Sequence, residues 1–514
     1  LEKIGILTAE SDPAGAAADL VRVVTEYPAT DAAFDVLQSG LAQVGPYSEG
    51  VVNYRHFQND EAMQDFQAYL DANPDGDAAA AAHYYVAALD ERLGDSESAL
   101  EEYAASLSLD PTGPLSDDAL WWSGLIYEKQ SEWQQADDAY AQILAQSRDN
   151  TWSDDAAFRH GLVLYRQGLY LDAANAWRSF ASVQSGETET HAFYWAAKAE
   201  LANGDKAIAK SHLEDLATGW PLDYYGLRAA AVLNENKDKK ATPLPGPETV
   251  DEDVRAWLTE ATGQPSVSVL GVLLDPRWSK GRELLSVGFP RSGAAEFRDL
   301  MYEHTGDAQT LWSLAVTFHW IGQTELSARS AELALEALSS DQRGKAPRAL
   351  LQMAYPEDYM SLLESAQSEE DVSPDVMLAL IRQESFFDPL AGSSAGAAGL
   401  TQVIASTGES IATDLGVTDF VNDDLLRPVV NIRFGAYYLG QQFQDFGGNL
   451  YYALAAYNAG PGSAQTWRDA AGDDVDMFLE QVDVGEANLY VRLVMQNLAM
   501  YRYLYEGAER PSLP

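Results

Sequence analysis

Four alanines, Ala62, Ala99, Ala136 and Ala173, stand 37 residues apart. Their settings are alike: NDEAMQDFQAYL, DSESALEEYAAS, EWQQADDAYAQI and LYLDAANAWRSF. A turn residue precedes each by a few positions, as with Gly94 and Gly168. A repeat of this length with a turn ahead of each helical segment describes helix–turn–helix pairs. Such pairs cannot bury their apolar faces alone and must stack on their neighbours. The small alanine lets paired helices approach closely. These features predict an all-α chain that begins as an α-solenoid.

The repeats resemble tetratricopeptide repeats. The Ala-rich first 50 residues look helical, broken at Pro28 and Pro46, and a further unit, NGDKAIAKSHLEDL, follows at Asn203 to Leu216. Trp121, Trp122, Trp133, Tyr140, Trp177 and Trp195 recur at helical spacing, which suits packing between helices better than sugar platforms. Residues 234–250 hold three of the ten lysines and three prolines with no apolar period, and read as a linker. Helical units resume with RELLSVGFPRSGAAEFRDLM and LWSLAVTFHWIGQTELSARSAELAL. The expected division is a solenoid over residues 1–233, a linker over 234–250, a continuing superhelix over 251–345 and a separate domain over 346–514.

With 79 acidic and 33 basic residues the net charge is −46, spread evenly along the chain. Such a field opposes binding to nucleic acid or to an anionic membrane surface. There is no cysteine, which excludes disulfides and thiolate chemistry and fits an exported protein. No apolar run approaches the roughly 18–20 residues needed to span a bilayer. The chain begins at Leu1, so a signal peptide or anchor is open to question.

The chemistry-bearing stretch is Ser373 to Gln402, SPDVMLALIRQESFFDPLAGSSAGAAGLTQ. Ser373 suits an N-cap and Pro374 a first helical residue, while Asp388-Pro389 should stop the helix. Met377, Leu380, Ile381, Glu384 and Phe387 share one stripe at helical spacing. A carboxylic acid among apolar neighbours loses hydration of its charged form and rises in pKa, which is what a general acid needs. From the helix alone, Glu384 is open to a second reading, an ordinary ion pair at the stripe's rim. Residues 346–514 hold no His, Cys or Lys. That leaves carboxylate chemistry, most often glycoside cleavage, and calls for no metal or cofactor.

RQESFFDP and GAAGLTQ, with AAYNAGPG at Ala455 to Gly462 and EANLYVRLVMQNLAMYRYLY at Glu486 to Tyr505, resemble in order and spacing the catalytic domain of the soluble lytic transglycosylases. These lysozyme-like enzymes cleave peptidoglycan glycan strands. The resemblance implies a helical superhelix that curves into a ring or U, with a mostly helical catalytic domain on it. It implies that Glu384 alone protonates the glycosidic oxygen. Glu384 then takes a proton from the sugar's own 6-hydroxyl as a 1,6-anhydro ring closes. Ser393, Gln402, Tyr457, Asn458 and Tyr490 match substrate-contacting positions, with Tyr457 beside the glutamate to orient it and Tyr490 lining the cleft. Ser393 reads equally as a loop cap; Tyr457 and Tyr490 have packing as their alternative reading, and Gly396 and Gly399 turn formation. Asn449 should cap the helix carrying Tyr457 and Asn458, and Gly460 should end it. Gly435, Tyr438 and Leu439 in NIRFGAYYLG look structural.

The family commonly reads GLMQ with Pro after two intervening residues, where this chain has Thr401 and Ala405. Thr401 then replaces a Met thought to line the cleft, with a possible change in subsite preference. Asp388 is expected in a turn, and Glu409, Asp414 and Asp445 in solvent. The expected function is an exported, periplasmic or wall-associated lytic transglycosylase acting on peptidoglycan glycan strands, with other cell-wall enzymes as possible partners of the solenoid. The alternatives are a muramidase or chitinase-like hydrolase with a second carboxylate, and a non-catalytic scaffold that only holds glycan.

Overall fold

The 37-residue period appears in space as a recurring helix pair. The structure, a computed structural model, describes residues 13–146, 151–233, 251–267, 269–506, 511 and 513; the linker expected at 234–250 lies outside them. Helices Asn59–Ala72, Ser96–Leu109, Trp133–Gln146 and Tyr170–Ala181 begin 37 residues apart. Each packs against the helix before it: Pro46–Arg55, Ala79–Leu93, Ser116–Lys129 and Ser153–Arg166. Ala62, Ala99, Ala136 and Ala173 are all fully buried, as are Phe66, Tyr103, Tyr140 and Trp177 four residues further on.

Each of those rings meets a small residue 16 positions earlier: Gly50, Ala87, Gly124 and Gly161. A Cβ on Gly161 would lie 2.5 Å from the Trp177 ring, and one on Gly124 2.6 Å from Tyr140. At Gly124 and Gly161 helix backbone and ring are therefore in direct contact, with no room for a side chain. The turn ahead of each second helix is left-handed at Phe57, Gly94, Ser131 and Gly168, again 37 apart. Only two of these are glycines, so composition showed half of the turns. Trp121 and Trp195 are buried and Trp122 and Trp133 half-buried among the helices, as packing residues. Pro46 begins a helix at its first position, where its missing N–H has no cost.

Leu1–Ala209 and Lys210–Pro514 form two compact units. In the second, the same module recurs: Gly281 lies under the Phe297 ring, and helix Pro290–Glu303 follows the left-handed Gly288. Helices Ala308–Trp320 and Thr324–Glu336 form the next pair around Gly322. Helix Tyr224–Val232 packs on the last long helix, Gly485–Tyr501. Gln496 there donates to the Leu222 carbonyl at 2.8 Å. Helix Pro374–Ser385, whose 382–385 end carries the site, packs on Gly485–Tyr501 and Met360–Glu370. Among the described residues one two-stranded hairpin, Ala397–Ala398 with Val403–Ile404, interrupts the helical pattern. Among the described residues no helix is long and apolar enough to cross a membrane.

Candidate active site

Pro374 starts the acid-bearing helix at its first position, and seven residues from Val376 to Arg382 are buried without interruption. The helix ends at Ser385, earlier than the Asp388-Pro389 signal predicts. Phe386 and Phe387 take left-handed φ values of 53° and 67°, and the Phe386 N–H closes on the Arg382 carbonyl. Phe387 is therefore buried but off the helical stripe. Tertiary packing overrides the local signal here, because Phe386 lies under the guanidinium groups of Arg329 and Arg382, 4.4 and 4.6 Å from its ring centre.

Glu384 sits one residue before the helix end, half-buried, on the wall of a cavity of about 670 Å³ that Gln402 also lines. Tyr490, buried in the last long helix, donates its hydroxyl to Glu384 Oε1 at 2.6 Å. Burial pushes the carboxyl up to about 7; the Tyr490 hydrogen bond opposes this, and the nearby Glu486 charge adds to it. Tyr457 donates its hydroxyl to the Thr401 carbonyl at 2.7 Å and packs on Tyr438. Burial and then the Glu384 charge hold the Tyr457 phenol well above its usual range. Both tyrosines thus meet at the acid's surroundings, with Tyr490 making the direct bond and Tyr457 tying down the loop.

That loop is fixed from behind. Ser385 Oγ donates to the Leu400 carbonyl at 2.8 Å, joining the acid's helix to GAAGLTQ. Asn431, wholly buried, donates to the carbonyls of Ala398 and Leu425 and accepts from the Thr401 N–H at 2.7 Å. Gly399, at φ 78°, has room for no side chain, since a Cβ would fall 2.1 Å from the Leu425 oxygen. Gln402 adopts φ 48° and donates its amide to the Gly399 carbonyl. Thr401 does not line the cavity: it is fully buried, and its hydroxyl donates toward Asn431. This side chain lies in the core beside Gly435.

The structure brings Glu384 and Gln402 to one cavity and Tyr490 into contact with the acid. Ser393 is exposed and closes its own turn, accepting from the Ala397 N–H at 3.1 Å. Asn458 is exposed at the end of helix Leu450–Ala459, which Asn449 caps and Gly460 ends. Asp388 accepts from the Leu390 N–H in the turn and pairs with Arg298 at 2.9 Å. Glu409, Asp414 and Asp445 are exposed. Sequence reading missed Asn431 and the part of the cavity lining that comes from the repeat helices, Arg291, Arg298, Tyr302, Glu325 and Arg329. No local motif marks these residues. Among the described residues no group of three or more His, Asp or Glu is placed to hold a metal ion.

Residues 361–476 match the family model described as the transglycosylase SLT domain, and residues 118–149 match a tetratricopeptide repeat. The chain is 27% identical over 333 residues to the soluble lytic murein transglycosylase of Salmonella typhimurium, covering 64% of this chain and 46% of that protein. It is 25% identical over 343 residues to that of Escherichia coli K12, covering 66% and 47%. The chain therefore spans about half the length of the curated relatives it matches. An inactive mutant of lytic transglycosylase Slt from Pseudomonas aeruginosa has a similar structure, with a TM-score of 0.64 at 20% identity, over 99% of this chain and 82% of that one. The 70 kDa soluble lytic transglycosylase from Escherichia coli has a TM-score of 0.51 at 19% identity, over 96% and 91%. In helical repeats followed by an SLT domain, the chain is similar to the soluble lytic murein transglycosylases.

Proposed function

We propose that the chain is a peptidoglycan lytic transglycosylase in which Glu384 is the sole acid and base. The observation that carries this reading is a carboxyl held protonated to about pH 7 by burial on a cavity wall, with one oxygen engaged by Tyr490. Tyr490 occupies Oε1, and Oε2 is assigned the transferable proton. That proton passes to the oxygen between the N-acetylmuramic acid and N-acetylglucosamine units as the bond to the muramic C1 breaks. The leaving sugar departs with a hydroxyl. The neighbouring N-acetyl group supports the cationic C1. The Glu384 carboxylate then removes the proton from the 6-hydroxyl, whose oxygen bonds to C1. Glu384 is protonated again, and no water is consumed.

Gln402 is assigned to substrate hydrogen bonding in the cavity, and Tyr457 and Tyr490 to shaping the acid's surroundings. Ser393 and Asn458, exposed in the chain alone, are assigned to contacts made when a long strand lies across the surface. The pairing of Asp388 with Arg298 favours a single-acid route over a hydrolytic one, since it occupies the carboxylate four residues from Glu384. The helical repeats that precede the domain expected at 346–514 are a candidate surface for other wall enzymes. A peptidoglycan substrate supports a location outside the cytoplasm.

Digestion of purified peptidoglycan followed by mass spectrometry tests the reading. Products ending in anhydro sugar, lighter by one water than reducing ends, are expected. Reducing ends alone would mean hydrolysis, and no cleavage would favour the scaffold.

A further inference from the structure

Arg382 lies two residues before Glu384 and is buried, yet it is charged. Its Nε donates to the Ala354 carbonyl at 3.0 Å and its Nη1 to Asn497 Oδ1 at 2.7 Å. Its Nη2 donates to Glu332, and its guanidinium lies over the rings of Tyr355 and Phe386. Asn497 stands two turns after Tyr490 on the same helix, and its own amide donates to the Ala379 carbonyl. Arg502, near the far end, pairs with Asp375 at 2.7 Å. The contacts 384–490, 382–497 and 375–502 run in opposite directions along two helices, so they fix the register that brings Tyr490 to the acid.

Glu332 comes from helix Thr324–Glu336, before the matched SLT domain. Glu325, Arg329 and Glu332 share one face of that helix at i, i+4 and i+7. The face meets the chain on both sides of the acid. Glu325 and Asp388 share Arg298, Arg329 covers Phe386, and Glu332 holds Arg382. Removing the acceptor of a buried guanidinium leaves part of its charge unpaired, which is costly and favours a shift of the side chain.

We propose that Glu332 is a positioning residue for the proton donor, acting through Arg382 to hold Glu384 in register with Tyr490. The proposal rests on the reading of Glu384 as the catalytic acid, and it makes a repeat helix outside the SLT domain a working part of the site. The groups facing the acid are Tyr490 and Glu486 from the last long helix and Tyr457 from helix Leu450–Ala459. Arg291, Arg298, Arg329, Arg382, Glu325 and Asp388 line the same cavity.

The test uses the full chain with Glu332→Ala, Tyr490→Phe and the double variant, assayed by release of anhydro products over a pH series. Glu332→Ala should lower kcat about tenfold with KM little changed, as expected for a displaced reacting group. Its basic limb should move to higher pH, because a weakened Tyr490 bond no longer favours the carboxylate. The double variant should lose less than the product of the two single losses, and Glu332→Gln, which keeps an acceptor for Arg382, should recover most of kcat. Wild-type kcat and limb in Glu332→Ala would overturn the proposal, as would independent losses in the double variant. So would a lowered thermal midpoint with full activity per folded molecule. Should Glu332→Ala not fold, Arg382→Lys decides by the same measurements. A wild-type protein that releases no anhydro product overturns the functional reading itself; one that does, beside an indifferent Glu332→Ala, overturns this inference alone.

Discussion

Tyr490 donates its hydroxyl to Oε1 of Glu384 at 2.6 Å, across 106 residues of sequence. The bond favours the charged carboxylate while burial favours the neutral acid, and burial prevails. A group balanced in this way loses a proton readily to a leaving oxygen and recovers one readily from a hydroxyl.

Glu384→Gln should lower the rate of glycan cleavage by at least about 100-fold, the usual contribution of a positioned acid. The amide keeps the volume and the acceptor for Tyr490, so the far-UV circular dichroism spectrum should not change. Muropeptide release measured by mass spectrometry checks this.

The activity of the wild type should fall as pH rises through about 7, because the proton to be donated is lost there. Glu486→Gln removes a like charge and should move that limb to lower pH, whereas Tyr490→Phe should move it higher and reduce kcat. Initial rates across pH 5–9, a range taken about the usual carboxyl and shifted values, give both directions.

The same shift bears on stability. The folded pKa lies above the ordinary 4.5, so this group's contribution is fully present below 4.5 and is lost as pH rises to about 7. Relative to wild type, Glu384→Gln should therefore gain about 3 kcal/mol between pH 4 and pH 8. Urea unfolding at the two pH values measures the difference.

Thr401→Met should act on stability and not on sugar preference. Thr401 is buried against Gly435, where a Cβ would already approach its hydroxyl to 2.4 Å, and it bonds Asn431. A longer side chain should cost about 1–3 kcal/mol from overpacking. A lowered thermal midpoint with an unchanged product distribution is the expected result.

Gly161→Ala should destabilise the first unit despite alanine's better helix propensity. The added methyl would lie 2.5 Å from the buried Trp177 ring, and overpacking of about 1–3 kcal/mol outweighs the propensity gain of about 1 kcal/mol. Chemical denaturation followed by tryptophan fluorescence tests this.

Much was decided locally. The 37-residue spacing of Ala62, Ala99, Ala136 and Ala173 required stacked helix pairs, because neighbouring repeats bury each other's faces and the pattern is written along the chain. Asn449 and Gly460 set the limits of the helix carrying Tyr457, since caps act on backbone groups within a turn. An acid on an apolar stripe made Glu384 a candidate, and the resemblance of RQES to the soluble lytic transglycosylases singled it out. Only the tertiary structure decided the rest. It ended the acid's helix at Ser385 and chose Tyr490 over Tyr457 as the donor to Glu384. It turned Thr401 into the core and brought Glu332 to Arg382 from 50 residues away. Each of these depends on which distant groups are left to satisfy a buried charge or hydrogen bond, and that is settled only when the helices pack.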